Sequence, residues 1–245
     1  MDRVYRSLLV LLIPLAAACT DREAQQRAAA EQARARMEAA AAQGARQVDE
    51  VLASGKVEIA YAYAVDVVSR YPGTQATQAL QARLPALKAQ ADTLAEARRL
   101  ESLWTYHEVD DKEAGGTVYT AYIHGAIEGA GASPPQLRLV LRRHPAWGQS
   151  VYLLLDSGGD FACQKECRVP LAADGGAPVP TLVSRAEGNI PPALFIEEDV
   201  KALALIEKST ALRLELPLAD GSTRSFLFEV EALDMAKLGP APKAG

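Results

Sequence analysis

ALRLELPL (residues 211–218) and TRSFLFEVEAL (residues 223–233) flank the four residues Ala219-Asp220-Gly221-Ser222. Apolar and polar residues alternate on both sides of the break. Asp-Gly between two alternating runs is a strong hairpin signal, because both residues tolerate the backbone that a tight turn between twisted strands requires. This hairpin places a β domain at the end of the chain. Just before it, IEEDVKALALIEKS (196–209) reads as one short helix, with acids in its first turn and Lys208 in its last, as the helix dipole favours. Further back, TVYTAYI (117–123), QLRLVLR (136–142) and SVYLLLD (150–156) repeat with period two. In the second run Leu137, Leu139 and Leu141 share one face, with Arg138 and Arg142 on the other. Residues 104–236 therefore read as a mostly antiparallel, sandwich-like β domain, opened by a tryptophan-led strand and carrying one inserted helix. Residues 237–245 are rich in Pro, Ala and Gly and are expected to form a disordered tail.

Upstream, the period changes. Val57, Tyr61, Ala64, Val68 and Tyr71 recur at spacings of three and four, one face of a helix. Tyr71-Pro72-Gly73-Thr74 breaks it, and Thr74 is placed to cap the next helix. That helix carries Leu80, Leu84, Leu87, Ala91 and Leu94, with Pro85 expected to kink or restart it. Residues 48–103 thus form an αα-hairpin. AYAVDVVSRYPGTQATQALQARL (62–84) resembles one tetratricopeptide-like unit of the kind found in some outer-membrane assembly lipoproteins. Solenoids need about three such units, so the hairpin is expected to pack on its neighbouring domain or on a second copy.

Residues 21–43 (DREAQQRAAAEQARARMEAAAAQ) hold strong helix formers but no stripe of large apolar residues. Residues 19–47 read as a helical spacer. Before it stand Arg3 and Arg6, then the apolar SLLVLLIPL, then Ala16-Ala17-Ala18 and Cys19. This is the order of a secretory signal, with a greasy run too short to span a bilayer. It resembles the lipobox of bacterial lipoproteins, with Ala16 where leucine is commonest. The resemblance implies removal of residues 1–18 as a signal peptide and lipidation of Cys19. Thr20 in place of aspartate implies sorting to the outer membrane, facing the periplasm. A plain secreted protein with a free cysteine is the alternative.

The 245 residues carry 26 basic and 31 acidic side chains, a net charge of −5, with no basic block. A nucleic-acid footprint is therefore not expected. Cys163 and Cys167 are four residues apart. On a straight strand that is roughly 13 Å, beyond the about 7 Å a bridge spans. A disulfide requires a bend at Gln164-Lys165-Glu166. Free thiols and a metal pair are the alternatives, and two ligands with no adjacent histidine make a poor zinc site.

Chemistry is sparse. His107, His124 and His144 stand singly. His107 lies beside Glu108, Asp110, Asp111 and Glu113, which reads as a solvated acidic turn. Asp156-Ser157-Gly158-Gly159-Asp160 reads as a hairpin turn and not as a nucleophile elbow. No phosphate loop, zinc motif or dinucleotide fingerprint occurs. No catalytic residue, cofactor or metal is expected. Arg138, Arg142, Arg143 and Trp147 make a candidate basic, aromatic patch for an anionic envelope polymer or a partner protein. The C-terminal domain resembles uncharacterised periplasmic β domains of bacteria and, more loosely, a periplasmic family associated with type VI secretion. Together these imply a lipid-anchored α+β protein that binds rather than catalyses, tethered through Cys19, with an envelope protein as partner and homo-oligomers open to it. An accessory part of a secretion or assembly machine is the first alternative, and an enzyme acting on an envelope polymer the second.

Overall fold

The computed structural model describes residues 15–127, 135–157, 159–185 and 192–241, with only the backbone of 15–21. Most of the signal peptide, Gly158 and the last four residues of the tail lie outside the described residues. The chain is α+β, helices first and a large antiparallel sheet after. It divides into two compact units, one ending at Ala95 and one beginning at Glu96.

The first unit contains α1 (Leu15–Ala53), α2 (Val57–Arg70) and most of α3 (Gln75–Leu103). Its core joins Val48 of α1 to Ala60, Ala64 and Val67 of α2 and Leu80 and Leu87 of α3. Of the stripe read on α2, Ala64 is buried and Val57, Tyr61, Val68 and Tyr71 are half-buried, with Ala60 and Val67 completing the face; on α3 Leu80, Leu87 and Ala91 are buried and Leu84 half-buried, but Leu94 is exposed. The partner, however, is α1: its packed part begins at Ala41, so the last residues assigned to the spacer belong to this core. Alanines at helical spacing look featureless in a sequence, yet small side chains are what a close crossing needs. Gly44 shows why, since a Cβ there would lie 2.7 Å from a Val67 methyl. Glu38 of α1 accepts the Gln75 and Ala76 N–H groups at 3.1 and 3.2 Å, and so caps the start of α3 from a different helix. Thr74 adds the cap expected of it by accepting the Thr77 N–H. Pro85 does not end α3. The carbonyl that loses its donor belongs to Gln81, and both residues face solvent, where water can replace the bond.

The second unit is built on β1 (Thr105–Asp111), β2 (Gly116–His124), β3 (Ala126–Ile127), β4 (Gln136–His144), β5 (Gly148–Ser157), β6 (Glu166–Ala173), β7 (Val179–Arg185), β8 (Ala193–Ile196), β9 (Ala211–Pro217) and β10 (Thr223–Glu229). They form one sheet in the order β1-β2-β4-β5-β8-β7-β6-β9-β10-β3, antiparallel throughout. The two ends of that order are nearly the same piece of chain. β2 and β3 are separated only by Gly125; β2 pairs with β4, and β3 pairs with β10 through Ile127↔Phe226 and Ala126↔Leu227. The sheet therefore returns on itself as a barrel wall, and the two facing layers expected of a sandwich are opposite sides of it. β1 overhangs as an extra strand on β2.

Gly125 makes the switch of partner sterically feasible. A Cβ there would sit 2.8 Å from the Phe228 ring, and its own N–H still donates to Leu137 at 2.9 Å. Inside the wall lie the alternate residues of each strand, Leu137, Leu139 and Leu141 among them. α4 (Asp199–Ile206) adds Ala202, Leu203 and Ile206 to that core. A 3-10 turn at Met235–Leu238 packs against β2 and β4, with Leu238 1% exposed. The expected tail is thus packed as far as Gly239. Two further expectations change. The acidic run is not a turn: Glu108, Asp110 and Asp111 lie in β1, and residues 112–115 make the bend. Asp156 to Asp160 does not link neighbours, because β5 pairs with β8 and not with β6.

Replacing Gly125 with valine is expected to lower stability by roughly 1–3 kcal/mol through overpacking against Phe228. Glu38→Ala is expected to cost about 1 kcal/mol of helix capping. Chemical denaturation reads both, and an unchanged midpoint in either variant would contradict the corresponding contact.

Candidate functional site

Strand periodicity divides the four residues of the candidate patch. On β4, residues 137, 139 and 141 point inward, and Arg143 shares their parity. Its side chain is 8% exposed and donates from Nη1 to the Gly239 carbonyl. Burial pushes its guanidinium down from its ordinary value. Arg143 is therefore removed from the surface patch: it holds the C-terminal strap, where a Cβ on Gly239 would meet the Tyr119 ring at 2.5 Å.

Arg138 and Arg142 remain on the outer face with aromatic neighbours from the adjoining strands. Cross-strand register sets Tyr122 of β2 opposite Val140, Val140 opposite Tyr152 of β5, and Tyr152 opposite Phe195 of β8. Arg138 lies over Tyr122 at 4.8 Å and pairs with Asp156. Arg142 lies 5.1 Å from the Trp147 centroid and 5.8 Å from that of Tyr152. Tyr152 packs on Phe195 at 5.0 Å, and burial raises its phenol above the ordinary value against the opposing pull of Arg142 and Arg138. Val140 is buried on the outside of the wall because this layer of rings and guanidinium stems covers it.

Trp147 sits in the β4–β5 turn, Pro145-Ala146-Trp147-Gly148, with Gly148 in the left-handed region. It stacks on His144 at 3.9 Å with 11° between the rings. His144 is itself fixed. Its Nδ1 accepts the Ala146 N–H at 3.1 Å, so the ring proton belongs on Nε2, which faces Asp111 at 3.5 Å. The Ala114 and Glu113 N–H groups, with His144, hold the Asp111 carboxyl below the usual carboxylate range. The single histidine that reads as an isolated turn residue is thus the base on which the exposed tryptophan rests. A signal for this was present: His144 shares outward parity with Arg142, and Trp147 follows within one tight turn.

His107 stacks on Tyr122 at 5.6 Å, and His124 meets the same ring edge-on at 5.6 Å. Among the described residues no three histidine, cysteine or carboxylate side chains gather in a way that could hold a metal ion. No described helix is long and apolar enough to cross a membrane.

Elsewhere, Cys163 and Cys167 are joined, with Cα atoms 5.8 Å apart. The bend that brings them together has a second support. Arg185, at the end of β7, donates to the Phe161 and Cys163 carbonyls and forks onto both Asp160 oxygens at 2.8 and 2.6 Å. Arg185 escaped the sequence reading because its partners lie more than twenty residues away. Arg185 holds the Asp160 carboxyl below the usual carboxylate range.

No family model, no curated protein and no solved structure matches this chain.

Because Asp160 is depressed in the folded state, its contribution is present above the ordinary carboxylate range, about pH 4, and is lost as pH falls below it. Asp160→Asn is expected to flatten the acid limb of a stability-versus-pH curve relative to wild type. An unchanged acid limb would show that the Arg185 pair does not contribute. Replacing both Cys163 and Cys167 with serine is expected to cost no more than about 2 kcal/mol, the entropy of so short a loop. A larger loss in denaturant midpoint would mean that Arg185 does not hold the bend alone.

Proposed function

We propose that this protein is a lipid-anchored, non-enzymatic binding module of the bacterial cell envelope, held on the periplasmic face of the outer membrane through Cys19. The observation that carries the reading is the shape of α1. It runs unbroken through Cys19 to Ala53, and every residue from 22 to 37 is exposed. A helical stretch of that length with every residue exposed is unsuited to a core and suited to a spacer. From Cys19 to Met37, before its packed part begins, it spans about 27 Å at the α-helical rise. Two or more acyl chains at its start would give stable anchoring where one chain is marginal. The rod then carries the folded units away from the bilayer while confining them near it, which raises their effective concentration for anything else in the envelope. The outer face of the barrel, with Arg142 and Trp147, is the binding surface in this reading. The occupant is an envelope component of complementary charge.

A second reading makes the protein an accessory part of an envelope secretion or assembly machine. One observation favours it. α2 is apolar on two sides: Ala60, Ala64 and Val67 are buried, while Ile59 and Tyr63 stand exposed beside Ala62 in a shallow groove flanked by Glu58 and Asp66. Exposed apolar positions at helical spacing suit a protein partner.

Cell fractionation tests the anchor. Wild type is expected with outer-membrane fractions and Cys19→Ser in the soluble periplasmic fraction. Membrane association that survives Cys19→Ser would end the lipid-anchor reading. Affinity capture from gently solubilised envelopes separates the two surfaces. Loss of a defined envelope component from Trp147→Ala supports the barrel face, whereas loss only from Ile59→Ser with Tyr63→Ser supports the helical one.

A further inference from the structure

Among the described residues, the outer face of β4 displays one cation without a counterion. Arg138 has Asp156, and Arg143 has the Gly239 carbonyl. Among the described residues, Arg142 has neither a carboxylate nor a hydrogen-bond acceptor, only the rings of Trp147 and Tyr152. Its Nε is buried and unpaired. A partly desolvated guanidinium without an acceptor is costly in isolation and gains when an external anion supplies one. This occurs in a chain whose net charge is −5, so the local sign is not a reflection of the whole surface.

Beside it, Trp147 is 71% exposed yet tied down. His144 lies flat against one side of the indole, and His144 is fixed in turn by Ala146 and Asp111. The Arg142 guanidinium stands over the same ring, and the exposed part of the indole is held in a set orientation. A surface already ordered loses little entropy when something binds it.

We propose that Arg142 and Trp147 form a recognition site for a carboxylate-bearing polysaccharide. A pyranose ring lies with its C–H face against the exposed indole of Trp147, and its carboxylate takes the guanidinium of Arg142. Three features select this class. The indole face is electron-rich and flat, and the C–H face of a sugar ring complements both properties. The planar fork of Arg142 matches a carboxylate through two parallel N–H donors. The backbone of β4 is engaged on both sides, by β2 and by β5, so an extended peptide finds no strand edge to add to here. An anionic lipid surface is favoured by clusters of cations, and on this face Arg138 is already neutralised. The inference rests on reading the outer face of the barrel as the working surface.

The test uses the full-length chain carrying Cys19→Ser, which removes the lipid attachment point. Calorimetric titration with polygalacturonate is compared with dextran, with poly-glutamate and with phosphatidylglycerol vesicles. Polygalacturonate is expected to bind, with the other three at least about tenfold weaker. Trp147→Ala and Arg142→Gln are each expected to lower polygalacturonate affinity by about tenfold or more, as removal of an anchoring side chain does. Arg138→Gln is expected to leave it within about threefold. Denaturation midpoints near that of wild type establish that each variant is folded, and Arg142→Lys, which keeps the charge but loses the fork, is expected to fall between wild type and Arg142→Gln. Equal binding of poly-glutamate or of vesicles overturns the proposal, as does no binding of polygalacturonate or full affinity in Trp147→Ala. If polygalacturonate fails while Trp147→Ala still loses a captured envelope component, the polysaccharide class falls and the binding face stands. If neither the polymer nor a component depends on Trp147, both fall.

Discussion

The second unit depends on one strand serving two neighbours. β2 holds β4 along its length, and two residues after Gly125 the same run of chain holds β10. Without that second pairing the sheet would end in two open edges, each a row of unpaired N–H and C=O groups exposed to water or to other chains. With it, the alternate residues of eight strands face a common interior. The constraint falls on a single position, because the chain must pass the Phe228 ring more closely than any side chain allows. The remaining edge is β1, whose acids Glu108, Asp110 and Asp111 are the kind of residue that discourages edge pairing.

The helical unit solves a different problem with similar economy. Where α1 crosses α2 its contacts are made largely by alanine, glycine and valine, so those helices approach closely and bury little area per residue, with Leu80 and Leu87 of α3 supplying the larger side chains. Polar contacts between the helices add to this core. Glu38 on the α3 N-terminus and Asp49 with Arg83 of α3 both tie α1 to α3. The Arg83 pair is exposed, and exposed pairs contribute little on their own. The Glu38 contact satisfies two N–H groups that a helix start otherwise leaves open, which is why it counts as structure rather than surface decoration.

Most element types were readable in advance, since period two and period three-to-four are properties of local sequence. The terminal hairpin, the helix before it, and the strands around residues 117, 136 and 150 all fall where alternation places them. The strands β3, β6, β7 and β8 were not delimited. Ala126–Ile127 is too brief to show a period, and β6 begins within the cysteine bend. The patch was half legible. Arg138, Arg142 and Trp147 meet on one face, and Arg143, their neighbour in sequence, does not.

Local chemistry in the sequence determined the order of helices and strands, the inward and outward faces of each strand, the requirement for a bend if Cys163 and Cys167 are to meet, and the resemblance of residues 15–19 to a lipidation signal. The tertiary structure alone decided which elements became neighbours. Arg143 finds its carbonyl 96 residues away, Arg185 its carboxylate 25 residues away, and Glu38 the helix start 37 residues away. Such partners leave no periodic trace, because the free energy of each contact depends on distance in space and not on separation along the chain. The same holds for closure of the sheet: a glycine between two strand segments looks like an interruption in one dimension, and becomes the joint of a barrel only when β10 is folded against it.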